Sequence, residues 1–176
     1  NKLKTLNACS DGYDWYLTYA KGRKSTPLLR TLLDVDAHRP EWARWLFTRL
    51  MTRKQNIKLS IFCAKQVLPI FEDKYPDDLR PRKAIEAAER VLKHDTEENR
   101  KAAANAAYAA ANAAAYAAAY AAANAAYAAA AAAAAADAAA YAVAYAAAAA
   151  TTTKARHTIQ VKMLRYGLRV LKEANP

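Results

Sequence analysis

The sequence has 176 residues and a net charge of +11. A chain of this length can bury a substantial hydrophobic core within one domain. No apolar signal region follows the first four residues, and no apolar run has the leucine, valine and phenylalanine content of a membrane-spanning helix. We therefore expect a soluble, cytoplasmic protein that makes no membrane contact.

Five amphipathic segments before residue 95 predict helices. Residues that favour helix starts, such as Ser10 and the Thr26-Pro27 pair, separate the segments. Apolar side chains recur within them at spacings of three and four, so Trp42 and Trp45 are expected in the core. Pro69 is expected to kink the fourth helix. The predicted helices cover residues 10–22, 26–36, 40–51, 57–75 and 82–93.

Residues 102–150 are almost entirely alanine and predict a long helix. Alanine has the highest helix propensity, and the tract contains no glycine or proline. The residues that interrupt it recur mostly three or four apart, within about 160 degrees of the helix circumference. We expect this stripe to pack at a seam between two helices, with the tyrosine hydroxyls near solvent. The tyrosine stripe consists of Asn105, Tyr108, Asn112, Tyr116, Tyr120, Asn124, Tyr127, Asp137, Tyr141 and Tyr145.

Two arrangements of the alanine tract remain open. An unbroken helix would be about 73 Å long, far longer than a small domain requires. Either neighbouring helices cover it along its length, or it folds into a hairpin whose second arm begins at Asp137. In both arrangements Asp95 and Glu98 are expected to form a pair that caps its start.

The fold class predicted from these elements is all-α. No segment has a convincing strand pattern, and we expect a bundle of about six or seven helices packed as antiparallel neighbours, including the long Ala/Tyr-rich helix or hairpin. Residues 1–95 form the N-terminal helical part. Residues 96–176 form the alanine-rich helix or hairpin and a basic C-terminal helix, and the two parts are expected to pack as one domain.

The sequence has few residues arranged for catalysis. The three glycines form no phosphate-binding loop, and no nucleophile elbow is present. His38, His94 and His157 are far apart in sequence and lack the spacing of metal ligands. Cys9 and Cys63 are expected to be free, buried thiols. We expect no enzymatic activity, no metal and no cofactor.

The C-terminal helix carries a basic stripe. Residues 151–176 have a charge balance of +5, and Lys162, Arg165, Arg169 and Lys172 follow helical spacing. Such a stripe is suited to binding nucleic acid or a nucleotide. Apart from Gln160 it has no residues for reading bases, so binding would occur mainly through phosphates and would be sensitive to salt. The alternative interpretation is a solvated basic face.

The segment from Tyr75 to Lys83 packs charges of both signs around two prolines. Asp77 and Asp78 precede a helix whose first turn contains Pro81, so they are positioned to cap its amides. The charged turn also provides candidates for partner binding, although ion pairs that pin a loop are the alternative. The candidate partner-binding residues are Asp77, Asp78, Arg80, Arg82 and Lys83.

Three runs in the sequence resemble one known family. They are Glu-Trp-Ala-Arg-Trp-Leu at 41–46, Ala-Lys-Gln-Val-Leu-Pro-Ile-Phe-Glu at 64–72, and Tyr-Pro-Asp-Asp-Leu-Arg-Pro-Arg-Lys-Ala-Ile-Glu-Ala at 75–87. Alanine and tyrosine repeats follow these three runs. Together they resemble a family of immunity proteins found in bacterial polymorphic-toxin loci and phages.

The resemblance implies a non-enzymatic, helical binding protein that neutralises another protein. The target would be a toxin, or a host defence complex if the inhibitor is phage-encoded. Because this chain is strongly basic, we expect the partner to present an acidic or neutral surface. Nucleic-acid or nucleotide binding remains the alternative function, and a homodimer remains open.

Overall fold

A computed structural model describes residues 2–28, 30–32, 34, 39–111, 138, 141–142, 145, 148 and 153–173. All regular secondary structure in these residues is helical, which confirms the all-α prediction. Described residues between 28 and 34 are also helical, as predicted. The helices are α1 (Lys2–Thr5), α2 (Ser10–Ala20), α3 (Pro40–Arg49), α4 (Arg53–Lys74), α5 (Arg80–Lys93), α6 (Glu97–Ala111) and α7 (Thr153–Glu173). None of them is both long and apolar enough to cross a membrane.

Helix α4 is the centre of the core, and both α5 and α7 pack against it. It begins four residues earlier than predicted. The Thr52 hydroxyl accepts a hydrogen bond from the Gln55 amide at 3.3 Å, while the Gln55 side chain accepts one from the Thr52 amide at 2.8 Å. This capping box fixes the helix start. Gln55 and Asn56 look like loop residues in the sequence, but they are buried and hydrogen-bonded to the chain carbonyls of Val170 and Thr48.

Alanines form the buried face of α6. Ala103, Ala107 and Ala110 are buried, and their spacing of four and three places them on one side of the helix. Small side chains at these positions allow α6 and α5 to approach closely. The predicted tyrosine seam is wrong for two members of the stripe, because Tyr108 is 75% exposed and Tyr141 is 59% exposed.

The rest of the tyrosine stripe gives a mixed result. Tyr145 is half-buried and packs against the core, as predicted, whereas Asn105 is exposed. The remaining stripe residues lie outside the described residues. The choice between a continuous helix and a hairpin concerns residues 112–137, which also lie outside them. The division of the chain at residue 95 stays a prediction.

The cap of α6 differs from the predicted Asp95–Glu98 pair. The Thr96 hydroxyl accepts a hydrogen bond from the Asn99 amide at 3.2 Å, so the helix is capped one residue later than expected. Asp95 instead forms ion pairs with Arg53 and Arg100. The prediction failed because Thr96 offers an equivalent cap and two arginines compete for the Asp95 carboxylate.

Helix α7 lies very close to α3 at Gly167. A Cβ atom added at Gly167 would lie 2.1 Å from Cζ of Phe47, whose side chain is 2% exposed. Only a residue without a side chain therefore fits there. Nearby, Tyr166 stacks on Phe62 of α4 with ring centroids 3.9 Å apart. These contacts fix the face of α7 that turns inward and leave the basic stripe on the other side.

Candidate functional site

Two of the candidate partner-binding residues form a tight ion pair in the charged turn. The Asp78 carboxylate accepts hydrogen bonds from Arg80 Nε at 2.9 Å, Arg80 Nη2 at 2.7 Å and the Arg80 backbone amide at 3.1 Å. These bonds favour the ionised carboxylate and hold the pKa of Asp78 below its ordinary value. The backbone contact also confirms that Asp78 caps the start of α5. Asp77 makes no such contact with α5 in the described part of the chain.

The next arginine ties α5 to α4. Arg82 donates from Nε and Nη2 to the two carboxylate oxygens of Glu72, at 2.8 and 2.7 Å. A planar, two-point contact of this kind restricts both side chains. The turn is consequently held at two places, once within itself and once against α4.

The remaining candidates extend into solvent. Asp77 and Lys83 are exposed, and neither has an ion pair with another described residue. Leu79 lies between the charged residues of the turn and is 46% exposed. The structure therefore joins Asp78 to Arg80 and Arg82 to Glu72, and it presents an apolar side chain between exposed charges.

The basic stripe occupies the outer face of α7. Lys162, Arg165, Arg169 and Lys172 are all exposed, and none has an ion pair with another residue in the described ranges. The Arg169 guanidinium lies 5.0 Å from the centroid of the Tyr166 ring. Glu173, the acidic residue at the end of this helix, pairs with Lys58 at 3.1 Å. The Glu173 carboxylate thus pairs with Lys58, and no ion pair joins it to a cation of the stripe in the described residues.

The two cysteines have different environments. Cys63 is fully buried, and burial raises the pKa of its thiol. Cys9 is exposed, so the prediction of a buried thiol is wrong at this position. Among the described residues no group of histidine, cysteine, aspartate and glutamate side chains is placed to hold a metal ion.

An apolar pocket near the N-terminus was missed by sequence reasoning. Its open cavity measures about 390 Å³ and lies between α1, α2 and α3. Trp15, Trp42 and Trp45 all line it, and they are all the tryptophans of the chain. Helical spacing predicted core packing for Trp42 and Trp45. All three indoles are partly buried, and Trp42 packs against the core cluster, as predicted. The concentration of tryptophans in residues 15–45 was the available signal.

A family profile described as Immunity protein Imm5 matches residues 42–160, about two-thirds of the chain. The chain belongs to the Imm5 family. No curated protein and no solved structure matches it. Immunity proteins bind and neutralise cognate toxins, which confirms the predicted non-enzymatic class.

Some of the candidate sites lie within the residues matched by the Imm5 profile and others lie outside them. The match contains the whole charged turn from Asp77 to Lys83 and ends two residues before Lys162. The basic stripe and the part of the pocket formed by α1 and α2 lie outside the matched residues.

Proposed function

We propose that this Imm5 protein neutralises a toxin by binding it, with the charged turn contributing to the contact surface. The observation that carries the proposal is that the turn lies within the Imm5 match and is held by two-point ion pairs. A surface that is already ordered loses less conformational entropy on binding. Arginine is enriched at protein interfaces, and the exposed Leu79 adds apolar surface beside Arg80 and Arg82.

The charge of the matched residues indicates the kind of partner surface. Residues 42–160 carry 16 basic and 10 acidic side chains, a balance of +6. Complementary charge accelerates association and disfavours partners of like charge. The proposed toxin surface is acidic or neutral. A host defence complex with such a surface fits the same chemistry.

Affinity capture at low and high salt is the first test. The immobilised protein should retain one protein partner at high salt and in stoichiometric amount. Retention of no protein would refute the proposal that this chain acts as a protein-binding inhibitor. The captured partner then becomes the probe for the turn itself.

Lys83→Ala tests the turn with little risk to the fold, because this side chain is exposed and has no ion pair with another described residue. Its matched control is Lys93→Ala, which removes the same charge from an exposed position at the other end of α5. We expect Leu79→Ala and Lys83→Ala each to weaken partner binding about tenfold, as for side chains of an interface centre. Unchanged binding by both variants would exclude the turn from the contact surface.

Asp78→Ala and Arg80→Ala test whether this ion pair stabilises the fold or contacts the partner directly. If the ion pair only pins the turn, both variants lower the melting temperature, and binding is lost only to the extent that the fold is lost. Unchanged melting with lost binding would assign the pair directly to the interface.

Nucleic-acid or nucleotide binding is the second candidate function. The specific observation in its favour is the row of four exposed cations on α7 that have no ion pairs with described residues. If each neutralises one phosphate of duplex DNA, the logarithm of affinity should fall with the logarithm of salt concentration with a slope of roughly −3 to −4. Arg165→Ala with Arg169→Ala should reduce that slope by about 2, whereas Lys21→Ala with Lys24→Ala, at exposed positions after α2, should not. A salt-independent or absent interaction would eliminate this candidate.

A further inference from the structure

The N-terminal pocket has the size and composition of a site for a small organic group. Its volume of about 390 Å³ falls within the range of ligand sites. Leu3 and Leu46 supply aliphatic surface, and three indole rings and the Tyr16 ring supply aromatic surface. Such a wall favours an aromatic or aliphatic body over a strongly hydrated one.

Local backbone features build this cavity. Asn7 has a φ of 58°, its amide donates to the Lys4 carbonyl at 3.0 Å, and the Ala8 amide donates to the Leu3 carbonyl at 3.0 Å. This is a Schellman motif, which ends α1 and returns the chain toward α2. On α2, a Cβ atom added at Gly12 would lie 3.7 Å from the Trp42 ring, so the indole rests directly on the helix backbone. The pocket wall is therefore fixed by the chain path and not by flexible side chains alone.

Glu41 is the one charged side chain among the described residues that line the pocket. The pocket of a protein with a net charge of +11 thus carries a negative group at its edge and no lysine or arginine on its wall. A cation at this place is attracted by the negative charge of the carboxylate and by the quadrupole of the neighbouring indole ring.

Arg39 already shows this attraction within the chain. Its guanidinium lies 5.3 Å from the centroid of the Trp42 ring and 3.7 Å from the Glu41 carboxylate. Both side chains of the ion pair are more than half exposed, so solvent and salt screen it and a competing cation can replace it at little cost. The same two groups would then face the incoming cation.

We propose that this pocket binds an amphipathic organic cation. The apolar body lies among the three indoles, and the ammonium or guanidinium group takes the position of the Arg39 guanidinium between Glu41 and the Trp42 face. The inference goes beyond toxin neutralisation, because Leu3, Trp15 and Glu41 precede residue 42, where the Imm5 match begins. The cation is either a free amine or a basic residue of a peptide.

The tryptophans provide a reporter that is confined to the pocket. Because Trp15, Trp42 and Trp45 are the only tryptophans in the sequence, selectively excited tryptophan emission comes entirely from the pocket wall. The probes are 2-phenylethylammonium and its anionic counterpart 3-phenylpropanoate. We expect a saturable emission change with the cation and binding of the anion at least about tenfold weaker. Equal binding of both probes, or no saturable binding of the cation, would overturn the proposal.

Two variants at exposed positions should act in opposite directions. Glu41→Gln should weaken cation binding about tenfold and remove most of the discrimination against the anion. Arg39→Ala should strengthen cation binding about two- to fivefold, because it removes the internal competitor. The matched control is Glu86→Gln, an exposed glutamate on α5 outside the pocket, which should leave binding unchanged. A purely apolar cavity would show neither opposing effect, and that result would also refute the proposal.

Alkylation of Cys9 gives a second readout that does not depend on fluorescence. Cys9 is exposed and lines the pocket, whereas Cys63 is fully buried, so N-ethylmaleimide should react first at Cys9. Bound 2-phenylethylammonium should slow that reaction, and 3-phenylpropanoate at the same concentration should not.

An acetylated phenylalanyl-arginine amide distinguishes the two sources of the cation. Tighter binding of this peptide than of 2-phenylethylammonium assigns the site to a basic peptide segment. The reverse order assigns it to a free amine. In both cases the dependence on Glu41 must persist, and binding that is insensitive to Glu41→Gln contradicts the proposed recognition.

Discussion

Replacement of Gly167 by alanine is the sharpest test of how α7 sits against α3. The new methyl group would lie 2.1 Å from Phe47 Cζ, 2.3 Å from Phe47 Cε1 and 3.0 Å from Met51 Cε. Carbon atoms that are not bonded to one another separate by about 3.5–4.0 Å, so the ring or the helix must move by more than 1 Å, on the order of one bond length. Phe47 is 2% exposed and has little free space in which to move.

The expected cost follows from two opposing effects. Alanine gains about 1 kcal/mol over glycine through helix propensity. Overpacking a filled core costs about 1–3 kcal/mol, and expelling Phe47 from its site would approach the roughly 3–5 kcal/mol of a Phe→Ala change. Because the overlap is severe and the ring is enclosed, we expect Gly167→Ala to lower the free energy of unfolding by about 1–3 kcal/mol.

Urea denaturation followed by far-ultraviolet circular dichroism measures this change. Gly12→Ala is the matched control, because it makes the same substitution in helix α2, where the closest contact is Cys9 Sγ at 3.2 Å. A thiol on a short side chain can give way more readily than an enclosed ring, so the control should be nearly neutral or slightly stabilising.

Phe47→Leu supplies the decisive comparison. Leucine lacks the ring atoms that meet the added methyl group, so Gly167→Ala should cost at least about 1 kcal/mol less in the Phe47→Leu background than in the parent. If Gly167→Ala is as stable as the parent, or if its cost is unchanged beside Phe47→Leu, the described approach of α7 to α3 is wrong.

Three further changes test other parts of the fold. Gln55→Ala removes a buried hydrogen bond of 2.7 Å to the Val170 carbonyl and half of the α4 capping box, and it should cost about 1–3 kcal/mol in urea denaturation. Thr96→Ala should cost about 0.5–2 kcal/mol, and Asp95→Ala less, because Thr96 is the cap of α6; the reverse order would contradict the assignment. Folding lowers the pKa of Asp78, chiefly through the hydrogen bonds from Arg80. Its contribution to the free energy of unfolding is therefore complete well above pH 3.8 and is lost as pH falls through the folded-state pKa. Asp78→Asn should therefore melt at a lower temperature than the parent at pH 7 and converge with it in acid.

The helix boundaries that could be predicted are those set by local chemistry. Pro40 begins α3, as its fixed φ favours, and Gly22 follows α2 with a φ of 74°, a conformation that glycine adopts without strain. The start of α4 also has a local signal that was missed, because Thr52 and Gln55 have the spacing of a capping box. The burial of the polar Gln55 and Asn56 could not be predicted, because it depends on their partners in α7 and α3.

The tyrosine stripe shows a different limit of sequence reasoning. Periodicity predicted that the bulky residues of the alanine tract share one side of a helix, but it does not determine which side faces the core. In α6 the buried alanines allow a close approach to α5, and Tyr108 points into solvent. Helical phase is a local property, whereas the choice of buried face depends on the neighbouring helix.

The charged turn, the basic stripe and the pocket are separate in the chain, and this separation makes the functional hypotheses independent. The turn lies inside the Imm5 match, the stripe begins after it, and the pocket combines α3 with helices that precede it. A toxin that contacts the turn should lose affinity through Leu79 or Lys83 variants while cation binding through Glu41 stays intact. A single macromolecular partner that required all three surfaces would instead couple these variants, so that each Glu41 substitution also weakened toxin binding. Measuring both affinities in the same variants therefore determines whether the N-terminal pocket belongs to toxin recognition or to a separate ligand.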